Sequence, residues 1–186
     1  MASSTKQALG SALKQMLAVK PIEKIAVKDL VEICGVNRQT FYYHFDDVYD
    51  LLEWVFEEDA KKVLPREVVY EHWQDDVILF FSYLRDNRSF ALNIYNSNSR
   101  TYMLRFYKKR LEDCIRSFAE IVCENRSIDR ADFDFVVDLY ANIIVGLISQ
   151  WLDKGMITPP DFTKDRLLAA LDGSVENLMD RFARYS

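Results

Sequence analysis

Between residues 38 and 44 the chain concentrates side chains that hydrogen-bond in several directions: Arg38, Gln39, Thr40, Tyr42, Tyr43 and His44. The guanidinium and amide at the start of this run suit the edges of bases, Arg38 a guanine and Gln39 an adenine. The hydroxyls of Thr40, Tyr42 and Tyr43 and the imidazole of His44 suit phosphate oxygens, which set register rather than sequence preference. Phe41 and Phe45, four residues apart, give the same segment one apolar face. A merely solvated helix face favours Lys and Glu over two tyrosines, a threonine and a histidine. This is the chemistry of binding, not of turnover. His44 and His72 are the only histidines, and His72 with Glu71 makes a poor base without further neighbours. No Ser-His-Asp set or glycine-rich phosphate loop is present, and Cys34, Cys114 and Cys123 lack metal-ligand spacing. The chain therefore reads as no enzyme, with no metal and no cofactor.

The elements around the run explain how it would be presented. Val27, Leu30, Val31, Ile33 and Cys34 fall mostly on a helical period, so Val27–Cys34 reads as a helix with one buried face. Gly35 follows, where a sharp turn after a helix needs a left-handed backbone angle. Val36 plugs the angle, and Asn37 caps a second short helix, Arg38–His44. Helix, glycine turn and polar-aromatic helix form a helix-turn-helix pattern.

Gly35-Val36-Asn37-Arg38-Gln39-Thr40-Phe41-Tyr42-Tyr43-His44-Phe45 closely resembles the DNA-binding signature of the TetR family of bacterial transcription regulators. At motif level the resemblance covers about the first sixty residues. It implies an all-α fold in which an N-terminal three-helix helix-turn-helix domain is joined by a linker helix to a larger helical dimerisation and effector domain. It also implies a DNA-contact set of Lys28, Asn37, Arg38, Gln39, Thr40, Tyr42, Tyr43 and His44, with Lys6 as a further phosphate contact. In the family a lysine often sits near the start of the linker helix. Here Asp46-Asp47-Val48 stands there, so that phosphate contact is either missing or replaced by the helix amides and dipole. The phrases Tyr49–Trp54, Gly146–Leu152 and Gly155-Met156 look like the subgroup that contains the activator of dihydroxyacetone kinase operons, which takes its signal from a protein co-activator.

Charge and composition agree with a protein that touches DNA at one end. The chain carries 24 Lys/Arg and 29 Asp/Glu, a net charge of −5. Residues 1–45 hold six Lys/Arg against three Asp/Glu, or +3, which leaves eighteen against twenty-six, or −8, for residues 46–186. A weakly basic head on an acidic body does not suit indiscriminate coating of nucleic acid. Five glycines and four prolines in 186 residues leave long uninterrupted helical stretches. No apolar run reaches the length of a membrane span and no signal peptide begins the chain, so a cytoplasmic protein with no membrane partner is expected.

Along the chain, Ala8, Leu9, Ala12, Leu13, Met16 and Leu17 make an apolar stripe on a first helix ending near Lys20-Pro21. Asp46 or Asp47 caps a linker helix from Val48 to about Val63, and Leu64-Pro65 breaks it. The expected parts are residues 1–47 for DNA binding, 48–64 as linker and 65–186 as body. Within the body, helices are expected over Val68–Asn87, Ser89–Asn96, Arg100–Asn125, Arg130–Lys154 and Asp161–Arg184.

The last two carry wide apolar faces. Tyr140, Ile144, Leu147, Trp151, Leu171, Val175 and Leu178 are the expected interface of a four-helix bundle between two copies, as the family resemblance also implies. Gly146 costs roughly 1 kcal/mol of helix propensity unless something packs closely on it. Tyr83, Tyr95, Tyr102 and Phe106 are the candidates for an effector pocket, since a buried tyrosine hydroxyl needs a partner. Aromatics at helical spacing are also ordinary core. The reading is a homodimeric regulator binding a double-stranded, pseudo-palindromic operator. It would be a repressor released by an unknown effector, with an activator governed by a protein co-regulator as the alternative.

Overall fold

The structure, a computed structural model, describes residues 2–63, 73–124, 126–157 and 160–184. Among them the regular elements are all helical: α1 (Ala2–Leu17), a 3-10 turn (Ile22–Lys24), α2 (Val27–Cys34), α3 (Arg38–His44), α4 (Val48–Val63), α5 (Trp73–Asp86), α6 (Arg88–Tyr95), α7 (Arg100–Val122), α8 (Arg130–Asp153), α9 (Pro160–Leu171) and α10 (Ser174–Ala183). The break at Leu64-Pro65, the start of the helix from Val68 and the Glu71-His72 pair lie outside the described residues. The chain divides into two compact units, Met1–Lys62 with Asn87–Met103, and Val63–Asp86 with Leu104–Ser186.

In the first unit the stripe of α1 turns inward except for Ala8, which is exposed; Leu9, Leu13 and Leu17 are fully enclosed, as are Leu30 of α2, Phe41 of α3 and Leu51 of α4. Gly10 lets α4 approach α1, since a β-carbon there would meet the Trp54 ring at 2.7 Å. One turn on, the Lys14 ammonium donates to Asp59 Oδ2 at 2.7 Å, and Lys62 donates to the other oxygen at 3.2 Å. Asp59 is 5% exposed. Such a buried carboxylate needs charged partners to offset lost hydration. Lys14 also lies 5.3 Å from the Phe90 ring of α6. Two hydrogen bonds fix the α6–α7 segment further: Asn93 Nδ2 donates to the Leu17 carbonyl, and the Asn98 amide donates to Glu23 Oε1, each at 2.7 Å.

In the second unit α8 is the central helix. Val136, Val137 and Tyr140 pack with Ala119 and Val122 of α7 and with Val175 and Met179 of α10. By length and composition α8 is apolar enough to cross a membrane, which the sequence expectation missed because Asp138, Asn142 and Ser149 interrupt its run. One stripe of its apolar residues forms the core of this unit, Val136, Ala141 and Ile148 being completely enclosed. Outside that core, Arg116 and Arg130 both donate to Asp134, Lys108 pairs with Asp138 at 2.7 Å, and Arg126 Nε donates to Asp180 at 2.6 Å.

The single helix expected over Asp161–Arg184 is two helices. Gly173 has φ +66°, a left-handed angle that ends α9, and α10 starts behind it. The Ser174 hydroxyl donates to the Leu171 carbonyl and Asn177 Nδ2 to the Gly173 carbonyl, each at 2.8 Å, which satisfies backbone groups freed by the break.

Candidate nucleic-acid interface

The recognition segment is built from its turn outward. Gly35 ends α2 at φ 64°, and its amide donates to carbonyls of the preceding turn. Asp29 reaches back to the Ala26 amide at the other end of α2 and accepts from Lys20. The Lys20 ammonium, then that amide, hold the Asp29 carboxyl below its usual range. Asn37 adopts extended geometry ahead of α3, and its Oδ1 accepts from both the Thr40 amide (2.8 Å) and the Thr40 hydroxyl (3.0 Å). The side chains of Asn37 and Thr40 are thus engaged in capping α3.

Phe41 and Phe45 anchor α3 at 0% and 3% exposure. Their rings are 5.9 Å apart, and Phe45 rests 5.8 Å from Trp54 of α4. With that face buried, Arg38 and Gln39 are exposed, as are Tyr42 (57%) and Tyr43 (81%). His44 is half-buried, edge-on to Tyr43 at 4.9 Å. Lys28 is exposed on the first turn of α2. Of the expected contact residues, Lys28, Arg38, Gln39, Tyr42 and Tyr43 are thus exposed and His44 is half-buried, while Asn37 and Thr40 are engaged within α3.

The start of α4 differs from one of the two sequence expectations. Asp47 Oδ1 accepts from the amides of Tyr49 (2.7 Å) and Asp50 (2.9 Å), and Asp50 accepts from the Asp46 amide (2.9 Å). Two of the amides that were to replace the missing lysine, those of Tyr49 and Asp50, are already satisfied by Asp47, so a phosphate cannot use these two without displacing it. Sequence reasoning recognised an aspartate cap but did not follow it to this consequence. Lys6, named by the resemblance as a phosphate contact, has its ammonium 5.2 Å from the centre of the Phe45 ring, a neighbour the sequence does not signal. A contact across forty residues leaves no local signal.

The expected pairing face is only partly outward. Tyr140, Ile144, Trp151 and Val175 are buried within the chain, because Tyr140, Ile144 and Trp151 follow one inward stripe of α8. The outward stripe of α8 is instead Phe135 (55% exposed), Ile143 (40%) and Gly146, where an added β-carbon meets nothing within 4 Å. Leu147, Leu171 and Leu178 stay half-buried, and Phe135 meets Phe182 of α10 edge-on at 6.2 Å.

The four pocket candidates are split between the units. Tyr95 and Tyr102 belong to the first, Tyr83 and Phe106 to the second. Tyr95 is 1% exposed, and its hydroxyl accepts from Arg100 Nη2. Tyr102 stacks on Phe56 at 5.8 Å, and burial followed by Glu53 and Glu57 pushes its hydroxyl up to about 12.

The helical arrangement recurs in solved structures. The dihydroxyacetone kinase operon activator DhaS matches with a TM-score of 0.70 over 96% of this chain and 97% of that one, at 20% identity. NalD, described as the secondary repressor of the MexAB-OprM multidrug efflux pump in Pseudomonas aeruginosa, matches with a TM-score of 0.53 over 91% and 96%, at 16% identity. At these identities the likeness concerns the fold. By sequence, the HTH-type dhaKLM operon transcriptional activator DhaS of Lactococcus lactis subsp. lactis (strain IL1403) is 30% identical over 91 residues. That match spans 49% of each chain, so about half the length of this relative is matched. Residues 71–173 match the TetR-type family model described as Transcriptional regulator C-terminal region. This is more than half of the chain, and the protein belongs to the TetR family of transcriptional regulators.

Proposed function

We propose that the protein acts in the cytoplasm as a homodimeric, sequence-specific DNA-binding regulator and not as an enzyme. Residues 1–47 read the operator, 48–64 link, and 65–186 pair the copies and receive the signal. The observation that carries this reading is α3: Phe41 and Phe45 are enclosed while Arg38, Gln39, Tyr42 and Tyr43 stand in solvent. Two tyrosines left open on a firmly anchored helix suit a surface awaiting a polar partner. In the dimer each α3 enters a major groove about 34 Å from its counterpart. Arg38 and Gln39 contact base edges; Tyr42, Tyr43, His44 and Lys28 hold phosphates, with Asn37 and Thr40 presenting α3.

Selection of bound fragments from the host genome, followed by footprinting, tests the proposal. It expects two protected half-sites of related, inverted sequence; retention of no fragment, or protection of arbitrary sequence, contradicts it. The main reading is a repressor released by an effector that binds the body. Similarity to the Lactococcus activator supports a second, activation through a protein co-regulator. Deleting the gene raises transcription beside the operator under the first reading and lowers it under the second.

A further inference from the structure

With seven residues, α3 is about 10 Å long, too short for its own backbone hydrogen bonds to hold it in place. Its pose is set by the side chains it buries, Phe41 and Phe45, one turn apart on one face. At Phe45 the backbone has already left the helix, with φ −145° and ψ 140°. The Phe45 ring rests instead on the indole of Trp54, 5.8 Å away on the second turn of α4.

That indole has no slack towards α1. A β-carbon on Gly10 would lie 2.7 Å from its Cζ3 and 3.4 Å from its Cε3, so the ring sits almost directly on the α1 backbone. Leu51, Leu52, Val55 and Phe56 of α4 are enclosed, whereas Trp54 is half-buried. Trp54 therefore stands at the margin of the core, bracing the end of α3 against α1 and α4.

Resting on the DNA-binding reading above, we propose that Trp54 is a positioning residue for base recognition: wedged between Gly10 and Phe45, it fixes the tilt of α3 and with it the reach of Arg38 and Gln39. Groups that read a partner must be held to about 0.5 Å and about 10–20°. On a helix about 10 Å long, a shift of about 2 Å at the Phe45 end is a tilt of about 11°. Phosphate contacts through flexible side chains follow such a tilt, but bidentate contacts to base edges do not. Trp54 thus governs the preference for operator over other duplex, acting through Phe45.

The test compares affinity of the full chain for the selected operator and for shuffled duplex, at a temperature where circular dichroism shows each variant folded. The variants are Trp54→Leu, Trp54→Phe, Gly10→Ala and, as a control for packing lost elsewhere on α4, Phe56→Leu, since the Phe56 ring faces Phe90 and Tyr102. Trp54→Leu should lower the ratio of operator to shuffled affinity at least about tenfold, the order of one lost base contact, with shuffled affinity near wild type. Trp54→Phe should restore most of the ratio, and Phe56→Leu should keep it. Gly10→Ala, which presses on the intact indole from α1, should lower the ratio as well, and it decides the matter if Trp54→Leu does not fold. An unchanged ratio in the folded Trp54 and Gly10 variants, equal losses on both duplexes, or an equal fall in Phe56→Leu overturns the positioning role while leaving DNA binding intact. Wild-type protein that binds both duplexes alike, or neither, overturns the DNA-binding reading and the role of Trp54 with it.

Discussion

Gly10 and Trp54 are in such close contact that a β-carbon on Gly10 would come within 2.7 Å of the indole ring. In an exposed helix, replacing glycine by alanine gains about 1 kcal/mol. Here the methyl must displace a large, half-buried ring, and overpacking of this kind costs about 1–3 kcal/mol. Gly10→Ala should therefore fail to stabilise the protein, and its thermal midpoint should fall. Since Trp54 also supports Phe45, operator affinity should fall with it. A higher midpoint, read by circular dichroism, would show that α1 and α4 are not in close contact.

Asp59 gives a second stability prediction. Removing one member of a fully buried ion pair costs about 3–5 kcal/mol. Lys14 keeps 28% of its side-chain exposure, which softens the loss. Asp59→Ala should lower stability by roughly 2 kcal/mol in urea unfolding, whereas Lys14→Met with Asp59→Leu should be nearly neutral. Equal losses in the single and double variants would contradict the pairing.

For assembly, Gly146 separates packing within one copy from packing between two. Its surroundings are open in the single chain, so Gly146→Trp should leave helix content intact. If the outward stripe of α8 meets a second copy, the same change should weaken dimerisation at least about tenfold, or about 1.4 kcal/mol. Sedimentation velocity reads this directly; an unaltered dimer would exclude that stripe.

The first unit was legible because its signals are local. Gly35, Asn37 and the Phe41–Phe45 spacing each specify a turn, a cap or a buried face within a few residues, and α2, α3 and α4 lie where those signals put them. The body was less so. Gly173 went unweighed in an otherwise periodic run and split the last helix. On α8 both stripes are apolar, so periodicity alone could not tell which turns inward; Tyr140, Ile144 and Trp151 proved to be core. The Lys6–Phe45 and Lys14–Asp59 contacts join residues distant in sequence and leave no trace in its pattern.

Acid should act on the second unit through its surface pairs. Arg116, joined by Arg130, holds the Asp134 carboxyl below its ordinary value, as Lys108 does for Asp138 and Arg126 for Asp180. A depressed folded-state value means that the unfolded chain takes up protons first as pH falls. The stabilisation is complete above the ordinary aspartate value of about 3.9 and is lost as pH drops through the lower folded value. Asp138→Asn should therefore flatten the fall in thermal midpoint below about pH 4. An unchanged acid limb would show the Lys108 contact to be absent in water.

The account depends most on Arg38, which stands exposed at the start of α3. The direct measurement compares Arg38→Ala with wild type on the selected operator, on operators altered at single positions, and on shuffled duplex. Loss of about 1–3 kcal/mol on the operator, with relaxed preference at one position in each half-site and little change on shuffled DNA, is expected. Equal losses on every duplex, or none on any, would contradict base reading by this helix.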